Sequence, residues 1–122
     1  MSFIEEARFT LTTDGSGDVS STTDTLQGIE VVAISVDYDA TAAAGTDVTV
    51  SLSNPSSDIL VLTNNNTDAL HYPTVATSTE AGVARTDYVN NILVNGTITA
   101  TIAQGGASKT STITVYYRRL FG

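Results

Sequence analysis

The chain has 122 residues, of which 41% are apolar and 15% are charged, and thirteen acids against five bases give a net charge of −8. This length allows one domain with a thin core, and the negative charge argues against nucleic acid as a partner because phosphate binding needs a basic surface. The lack of cysteine excludes disulfides, thiolate zinc sites and cysteine nucleophiles.

Neither a membrane span nor a secretory leader is predicted. No apolar run approaches the roughly 20 residues that cross a bilayer, and the first residues lack the basic and then apolar order of a signal peptide. The sequence therefore predicts a protein without a membrane partner, made and used in a cytoplasm or assembled there into something larger.

The N-terminal part of the chain predicts short strands separated by turns. Residues 8–13 alternate apolar and polar side chains, and the Asp-Gly-Ser-Gly run at 14–17 predicts a turn, since glycine adopts positive φ without steric cost. Residues 18–25 fit a return strand or a loop. Residues 29–38 are apolar on both faces, which predicts a strand buried on both sides; a short amphipathic helix is the weaker alternative, because Val and Ile favour strands.

The middle of the chain continues this pattern and then becomes irregular. Residues 41–46 predict a loop, and residues 47–53 alternate cleanly as a strand. A proline-containing turn follows at 54–58, and residues 59–63 predict another strand. Residues 64–83 predict a long irregular stretch, and a loop of that length in a compact domain usually carries function or contacts.

The C-terminal part gives the strongest strand signal. Residues 87–94 fit a strand or a turn of helix. Residues 96–103 and 109–117 both alternate around a Gly-Gly turn at 104–108, which predicts a β-hairpin. Its inward stripes are Ile98, Ala100, Ile102, Ile113, Val115 and Tyr117. The outward stripe is mostly threonine, and a face so poor in charge tolerates contact with another protein because little charge must be desolvated.

The elements together predict an all-β fold. About seven or eight short strands with frequent turns and no convincing helix indicate an antiparallel β-sandwich or small barrel. One domain spans residues 1–122. Residues 1–7 are predicted as an N-terminal arm, and residues 118–122 as a C-terminal tail that docks on a neighbouring subunit or frays.

No motif predicts catalysis, a cofactor or a metal. His71 is the only histidine, and no Gly-x-Ser-x-Gly motif or set of zinc ligands accompanies it. Residues 14–18 space their oxygens as calcium ligands do, but the later glycine and glutamate of a calcium loop are missing. Asp37 and Asp39 share a strand face, as acid–base pairs do in glycoside hydrolases, and are interpreted as a solvated strand end.

The remaining candidate site is a surface on which mainly aromatic side chains would contact another protein. Tyrosine offers large contact area at small entropy cost, while core packing is the alternative for each aromatic residue. The candidate interface residues are Phe3, Ile4, His71, Tyr72, Tyr88, Tyr116 and Tyr117.

Five segments, taken in chain order, resemble small all-β virion proteins encoded among the head and neck genes of tailed bacteriophages. They are Arg8-Phe-Thr-Leu-Thr-Thr-Asp-Gly-Ser-Gly, Gly28-Ile-Glu-Val-Val-Ala-Ile-Ser-Val-Asp-Tyr, Gly45-Thr-Asp-Val-Thr-Val-Ser, His71-Tyr-Pro and Ile102-Ala-Gln-Gly-Gly-Ala-Ser-Lys-Thr-Ser-Thr-Ile-Thr-Val-Tyr. The resemblance covers most of the chain and brings no enzymatic residues with it.

The resemblance implies a capsid cement or decoration protein on the virion surface, assembled in the host cytoplasm. Its partners would be the major capsid protein and sister copies, with a trimer favoured. A protein that binds only the mature shell stabilises it by mass action. Residues 1–7 and 64–83 are expected to contact capsid or sister subunits, and deletion of 1–7 is expected to weaken attachment while leaving the fold intact.

Three alternatives stay open. A low-copy neck, connector or tail protein belongs to the same structural class, and stoichiometry separates it from a decoration protein. A carbohydrate-binding module would favour aromatic platforms, but the chain has no tryptophan; a glycan screen tests it. An enzyme would need catalytic residues that the motifs do not supply, and a hydrolase screen tests it.

Overall fold

The computed structural model describes residues 3–78, 81–82 and 84–120. These residues form eleven β-strands and no helix, so none of them belongs to a helix that could cross a membrane. The strands are β1 (Ile4–Thr12), β2 (Val19–Thr22), β3 (Leu26–Asp37), β4 (Asp47–Ser53), β5 (Ser56–Leu62), β6 (Ala69–His71), β7 (Thr74–Ser78), β8 (Ala84–Asn90), β9 (Ile92–Gly96), β10 (Ile98–Ala103) and β11 (Thr110–Arg119).

The strands form two sheets and a ribbon, all antiparallel. Sheet A has the order β1-β11-β3-β6, and β9 pairs with β3 beside β6. Sheet B has the order β2-β10-β4-β5, and β7 and β8 form a two-stranded ribbon. The prediction of an all-β antiparallel fold is confirmed; the sheets are open, so they form a sandwich and not a closed barrel.

One core lies between the inner faces of the two sheets. Alternation puts every second residue inward, so Ile98 and Ile102 of β10 and Ile113 and Val115 of β11 are at most 1% exposed. The same pattern buries every second residue of β1 and β4 towards the core, and these residues are Phe9, Leu11, Val48, Val50 and Leu52. All of these side chains join one hydrophobic cluster, and so the core draws on both sheets.

The predicted hairpin between residues 96–103 and 109–117 is wrong. β10 pairs with β2 and β4 in sheet B, whereas β11 pairs with β1 and β3 in sheet A. Both strands do present their apolar stripes to the core, but they do so from opposite sheets. The Gly-Gly segment between them is therefore a crossover from one sheet to the other.

Gly17 holds this crossover in place. The amide of Gly105 donates to the Gly17 carbonyl at 2.9 Å. A Cβ at Gly17 would lie 2.9 Å from the amide nitrogens of both Gly105 and Gly106, and its φ is +83°. Only glycine combines that positive φ with so close an approach of backbone, so the Asp-Gly-Ser-Gly turn also serves as the support of the crossover.

The predicted terminal arm and tail are corrected where the chain is described, at residues 4–7 and 118–120, while residues 1, 2, 121 and 122 lie outside the described residues. β1 begins at Ile4, which lies opposite Arg118, and pairing continues without a shift along the strand. β11 reaches Arg119, and the Leu120 amide donates to the Gly28 carbonyl at 2.6 Å. Because residues 4–7 are a paired part of sheet A, deletion of residues 1–7 would disturb the fold as well as any contact.

The segment 64–83 is more ordered than predicted. β6 pairs with β3, and β7 pairs with β8; Pro73 separates them because proline cannot donate to a ladder. Residues 79, 80 and 83 of the predicted loop lie outside the described residues. The helical alternative for 87–94 is wrong, since β8 and β9 occupy it. These short strands raise the number above the seven or eight expected.

Candidate contact surface on the outer face of sheet A

A groove of about 410 Å³ crosses the outer face of sheet A. Four strands of the sheet contribute to it, although they are far apart in sequence. Its lining residues are Ile4, Val32, Ala33, Ser35, Leu70, Tyr72 and Tyr116. Nearly all of this lining is apolar, which is unusual for the outer face of an acidic chain.

Strand register explains how these residues meet. Tyr116 lies opposite Ala33 in the β11–β3 ladder, and Ser35 lies opposite Leu70 in the β3–β6 ladder. Directly opposite residues share a sheet face, so these four side chains point away from the core. Ile4 joins them from β1, whose neighbouring outward residue Glu6 lies opposite Tyr116.

The groove arises from a contrast in side-chain size. Ala33 and Ser35 form a low floor on the central strand, and Ala33 is 5% exposed. Larger residues stand on both sides, and Ile4, Leu70 and Tyr72 are 52%, 49% and 68% exposed. A concave apolar surface bounded by exposed aliphatic and aromatic groups suits the insertion of a partner's side chains.

The structure brings together three of the seven candidate interface residues. Ile4, Tyr72 and Tyr116 line the groove. Phe3 precedes β1 and is 71% exposed, and Tyr88 lies on the ribbon and is 66% exposed; neither lines the groove. These two therefore belong to separate parts of the surface.

Tyr117 and His71 are not surface anchors. Tyr117 is 6% exposed and belongs to the core, because it continues the inward stripe of Ile113 and Val115 along β11, as alternation predicts. His71 lies opposite the buried Ile34. Its Nε2 atom is buried without a hydrogen-bond partner among the residues described, so the ring faces the inner side of β6.

The groove floor was missed from the sequence, although a signal existed. The run 29–38 is apolar on both faces, and this predicted burial on both sides. Val32 is in fact half-buried and lines the groove. No described strand packs over this face, so the second apolar side of β3 serves as a surface.

The outer face of sheet B is different in kind. Ser20 Oγ lies 3.1 Å from Thr101 Oγ1, and Thr22 Oγ1 lies 2.8 Å from Thr99 Oγ1. These cross-strand pairs satisfy each other's hydroxyl groups. The prediction that Thr99 and Thr101 face away from the core is confirmed, because Ile98, Ala100 and Ile102 between and beside them are buried.

Asp39 fastens the end of β3 to the start of β11. Its carboxylate accepts hydrogen bonds from the Thr41 amide at 2.9 Å, the Thr41 hydroxyl at 2.8 Å and the Thr110 amide at 2.9 Å. These bonds, led by that from the Thr41 amide and helped by the charge of Lys109, lower the pKa of Asp39 to about 2. With its oxygens so engaged, Asp39 acts as a structural acceptor.

Asp14 plays the same part in the first turn. Its Oδ1 accepts from the amides of Ser16 at 2.8 Å and Asp18 at 3.1 Å. The amide of Asp18, followed by that of Ser16, lowers the pKa of Asp14. Within the described residues, no group of three or more His, Asp or Glu side chains is placed to hold a metal ion.

No family model, curated protein or solved structure matches the chain. Its function has to be inferred from its own residues.

Proposed function

We propose that this chain is a non-enzymatic structural protein of a tailed-phage virion, a cement or decoration protein that binds the outer capsid surface through the groove on sheet A. The observation that carries this proposal is the exposure of Ile4, Leu70 and Tyr72 around one concavity. Contiguous exposed apolar groups on a small domain mark contact surfaces. The sequence segments that resemble phage virion proteins supply the kind of partner.

The groove suits a protein partner better than a small polar ligand. Its lining offers one side-chain hydroxyl on the floor, that of Ser35, and one on the wall at each of Tyr72 and Tyr116. Binding energy would come from burial of apolar area, at about 25 cal/mol per Å² before the costs of association. Many weak sites on a repeating shell then add up to appreciable stabilisation.

The partner in this proposal is the major capsid protein, and the protein resides on the virion after assembly in the host cytoplasm. The trimeric state implied by the resemblance stays a prediction. A low-copy neck, connector or tail position would use the same surface, and it differs from decoration in stoichiometry alone.

Copy number tests the position. Quantitative mass spectrometry of purified virions from the phage that encodes this chain should give roughly one copy for every one or two major capsid subunits if the protein coats the shell. About a dozen copies or fewer per particle would place it at the neck or tail, where symmetric rings are small. Absence from particles would overturn the virion proposal.

A charge placed in the groove tests the surface. Leu70→Asp should reduce binding to capsids that lack the protein by roughly tenfold or more, because a carboxylate would be buried unpaired in the contact. Val61→Asp is the matched control, since Val61 is 60% exposed on β5 of sheet B. Equal binding of both variants would rule out the groove as the contact surface.

A further inference from the structure

β1 is the longest uninterrupted sheet edge in the described part of the chain. Its nine residues pair with β11 without a register shift, and its other side carries no partner strand among the described residues. A free edge presents unpaired amide and carbonyl groups that can accept another strand. The length of β1 therefore makes its edge a candidate for strand addition.

The remaining edge strands are shorter or interrupted. β2 has four residues and β9 has five. β6 has three and is followed by Pro73, which cannot donate to a ladder. In β5 the register shifts between Val50 and Ser51 of its partner strand, and such a bulge twists an edge away from pairing. The ladder of β7 and β8 also carries a register shift, so among the described edges β1 alone has none of these protections.

The charges on β1 are complementary to themselves. Glu6 and Arg8 both lie on the outer face, with side chains 45% and 60% exposed and 3.1 Å apart. If two β1 strands pair antiparallel with Ala7 opposite Ala7, Glu6 of each copy lies opposite Arg8 of the other. Opposite charges in directly facing positions stabilise strand pairs, and like charges there destabilise them.

The other charge on the strand does not oppose this register. Glu5 accepts a hydrogen bond from Arg119 Nε at 2.7 Å within its own chain. In the same register Ile4, which is 52% exposed, lies opposite Thr10 of the second copy. No like charges face each other over residues 4–10.

We propose that two copies of this chain pair through the edges of β1, antiparallel and about a two-fold axis at Ala7. The contact is isologous, so it closes at a dimer. It joins the two A sheets into one continuous sheet, and because facing residues share a face, both grooves open on the same side. A trimer would need a different surface. The inference does not rest on capsid binding, but a dimer with two coplanar grooves would bind a shell bivalently.

Cysteine cross-linking tests the register, since the chain has no cysteine of its own. Ala7→Cys should form a disulfide-linked dimer under mild oxidation, because facing Cα atoms of an antiparallel pair lie about 4.5–5.5 Å apart, within disulfide range. Thr10→Cys should not, because the two substituted positions would be roughly 20 Å apart along the strands. Equal cross-linking of both variants would show random collision and overturn the proposal.

Charge reversal tests the recognition, measured by sedimentation equilibrium without capsids. The wild-type chain of 12.7 kDa should dimerise reversibly, and Glu6→Arg or Arg8→Glu alone should raise the dimer Kd by about tenfold or more, because each places two like-charge pairs at the contact.

An equimolar mixture of the two single variants should form a heterodimer with wild-type affinity. The double variant, which carries both reversals, should form a homodimer with the same affinity. Asp58→Lys on β5 changes the net charge as Glu6→Arg does and should leave the Kd unchanged.

Three results would overturn the dimer. They are a wild-type chain that stays monomeric at all concentrations, a trimer whose mass is unaffected by the reversals, and single variants that dimerise as the wild type does. Because rescue in the mixture needs both variants folded and paired, a fold defect cannot imitate it. Failure here would leave the copy-number test of the virion proposal untouched.

Discussion

The outer faces of sheets A and B follow the same alternating pattern and yet offer opposite chemistry. Sheet A exposes a groove walled by Ile4, Leu70 and Tyr72. Sheet B exposes hydroxyl groups in which Thr22 bonds to Thr99 across the ladder. The first face leaves apolar area exposed to water, and the second satisfies its polar groups internally.

If the groove binds the capsid as proposed, the difference shows which face would gain free energy from that contact. Burying the sheet A groove would remove apolar area from water at a gain of about 25 cal/mol per Å². Burying the sheet B face would gain less, because apart from Val61 on β5 it presents hydroxyls that already have partners and that a contact would have to preserve. A shared alternation thus builds one face with an exposed apolar groove and one face rich in paired hydroxyl groups.

The largest expected effect concerns the core that both faces cover. Ile113→Ala in sheet A and Ile102→Ala in sheet B should each lower the free energy of unfolding by about 2–5 kcal/mol, since each deletes buried methyl groups and leaves a cavity. The two side chains are 0% and 1% exposed, so the losses should be similar. Urea unfolding followed by circular dichroism measures them.

Thr112→Ala on the outer side of β11 serves as the control and should change stability by less than about 1 kcal/mol. If Ile113→Ala were costly and Ile102→Ala neutral, the two sheets would not share one core. The comparison of their outer faces would then be between independent units.

The inner faces could be predicted from alternation, whereas strand partners could not. Ile98 and Ile113 were assigned inward because alternation fixes the face of each residue. It does not fix the neighbouring strand, so two alternating runs around Gly105 and Gly106 looked like a hairpin. In the structure, the backbone of Gly17 packs closely against that segment, which crosses from one sheet to the other. Such a contact between residues distant in sequence leaves no local signal.

Several residues that line the groove could be predicted from the sequence, but the groove itself could not. Ile4, Tyr72 and Tyr116 were each candidates, but only the register of β1, β11, β3 and β6 joins them. Tyr116 and Tyr117 are neighbours of the same type, and alternation along β11 puts one in the groove and the other in the core. Alternation therefore distinguishes these two tyrosines in the sequence, whereas the extra residue Val32 in the facing strand β3 leaves no such signal.

A smaller effect is expected from removal of hydroxyls on sheet B. Thr22→Val and Thr99→Val should each cost less than about 1 kcal/mol, because the partner hydroxyl is open to water. The double variant should be close to the wild type, since both partners are then removed and valine favours strands. A double-mutant cycle by urea unfolding measures the coupling.

This double variant also sharpens the contrast between the faces. It makes sheet B more apolar without touching sheet A, so capsid binding through the groove should be unchanged. Additive losses above about 2 kcal/mol would show that the hydroxyl pairs hold sheet B together, and altered capsid binding would assign sheet B a contact role.

The smallest effect is expected at Asp39, which fastens one end of the β3–β11 ladder of sheet A, where β3 ends and β11 begins. Its pKa is lowered from 3.8 to about 2 by hydrogen bonds from Thr41 and Thr110. A lowered folded-state pKa contributes stability that is complete above the unfolded pKa and is lost as pH falls through the folded pKa. The stability advantage of the wild type over Asp39→Asn should therefore stay constant from neutral pH to about pH 4 and then shrink towards about pH 2.

Urea unfolding of both proteins across this range measures the difference in stability, with Asp58→Asn as the control because the Asp58 carboxylate accepts no hydrogen bond from a described residue. A gap that persists unchanged at pH 2 would show that the shape of the Asp39 side chain, and not its charge, fastens the two strands.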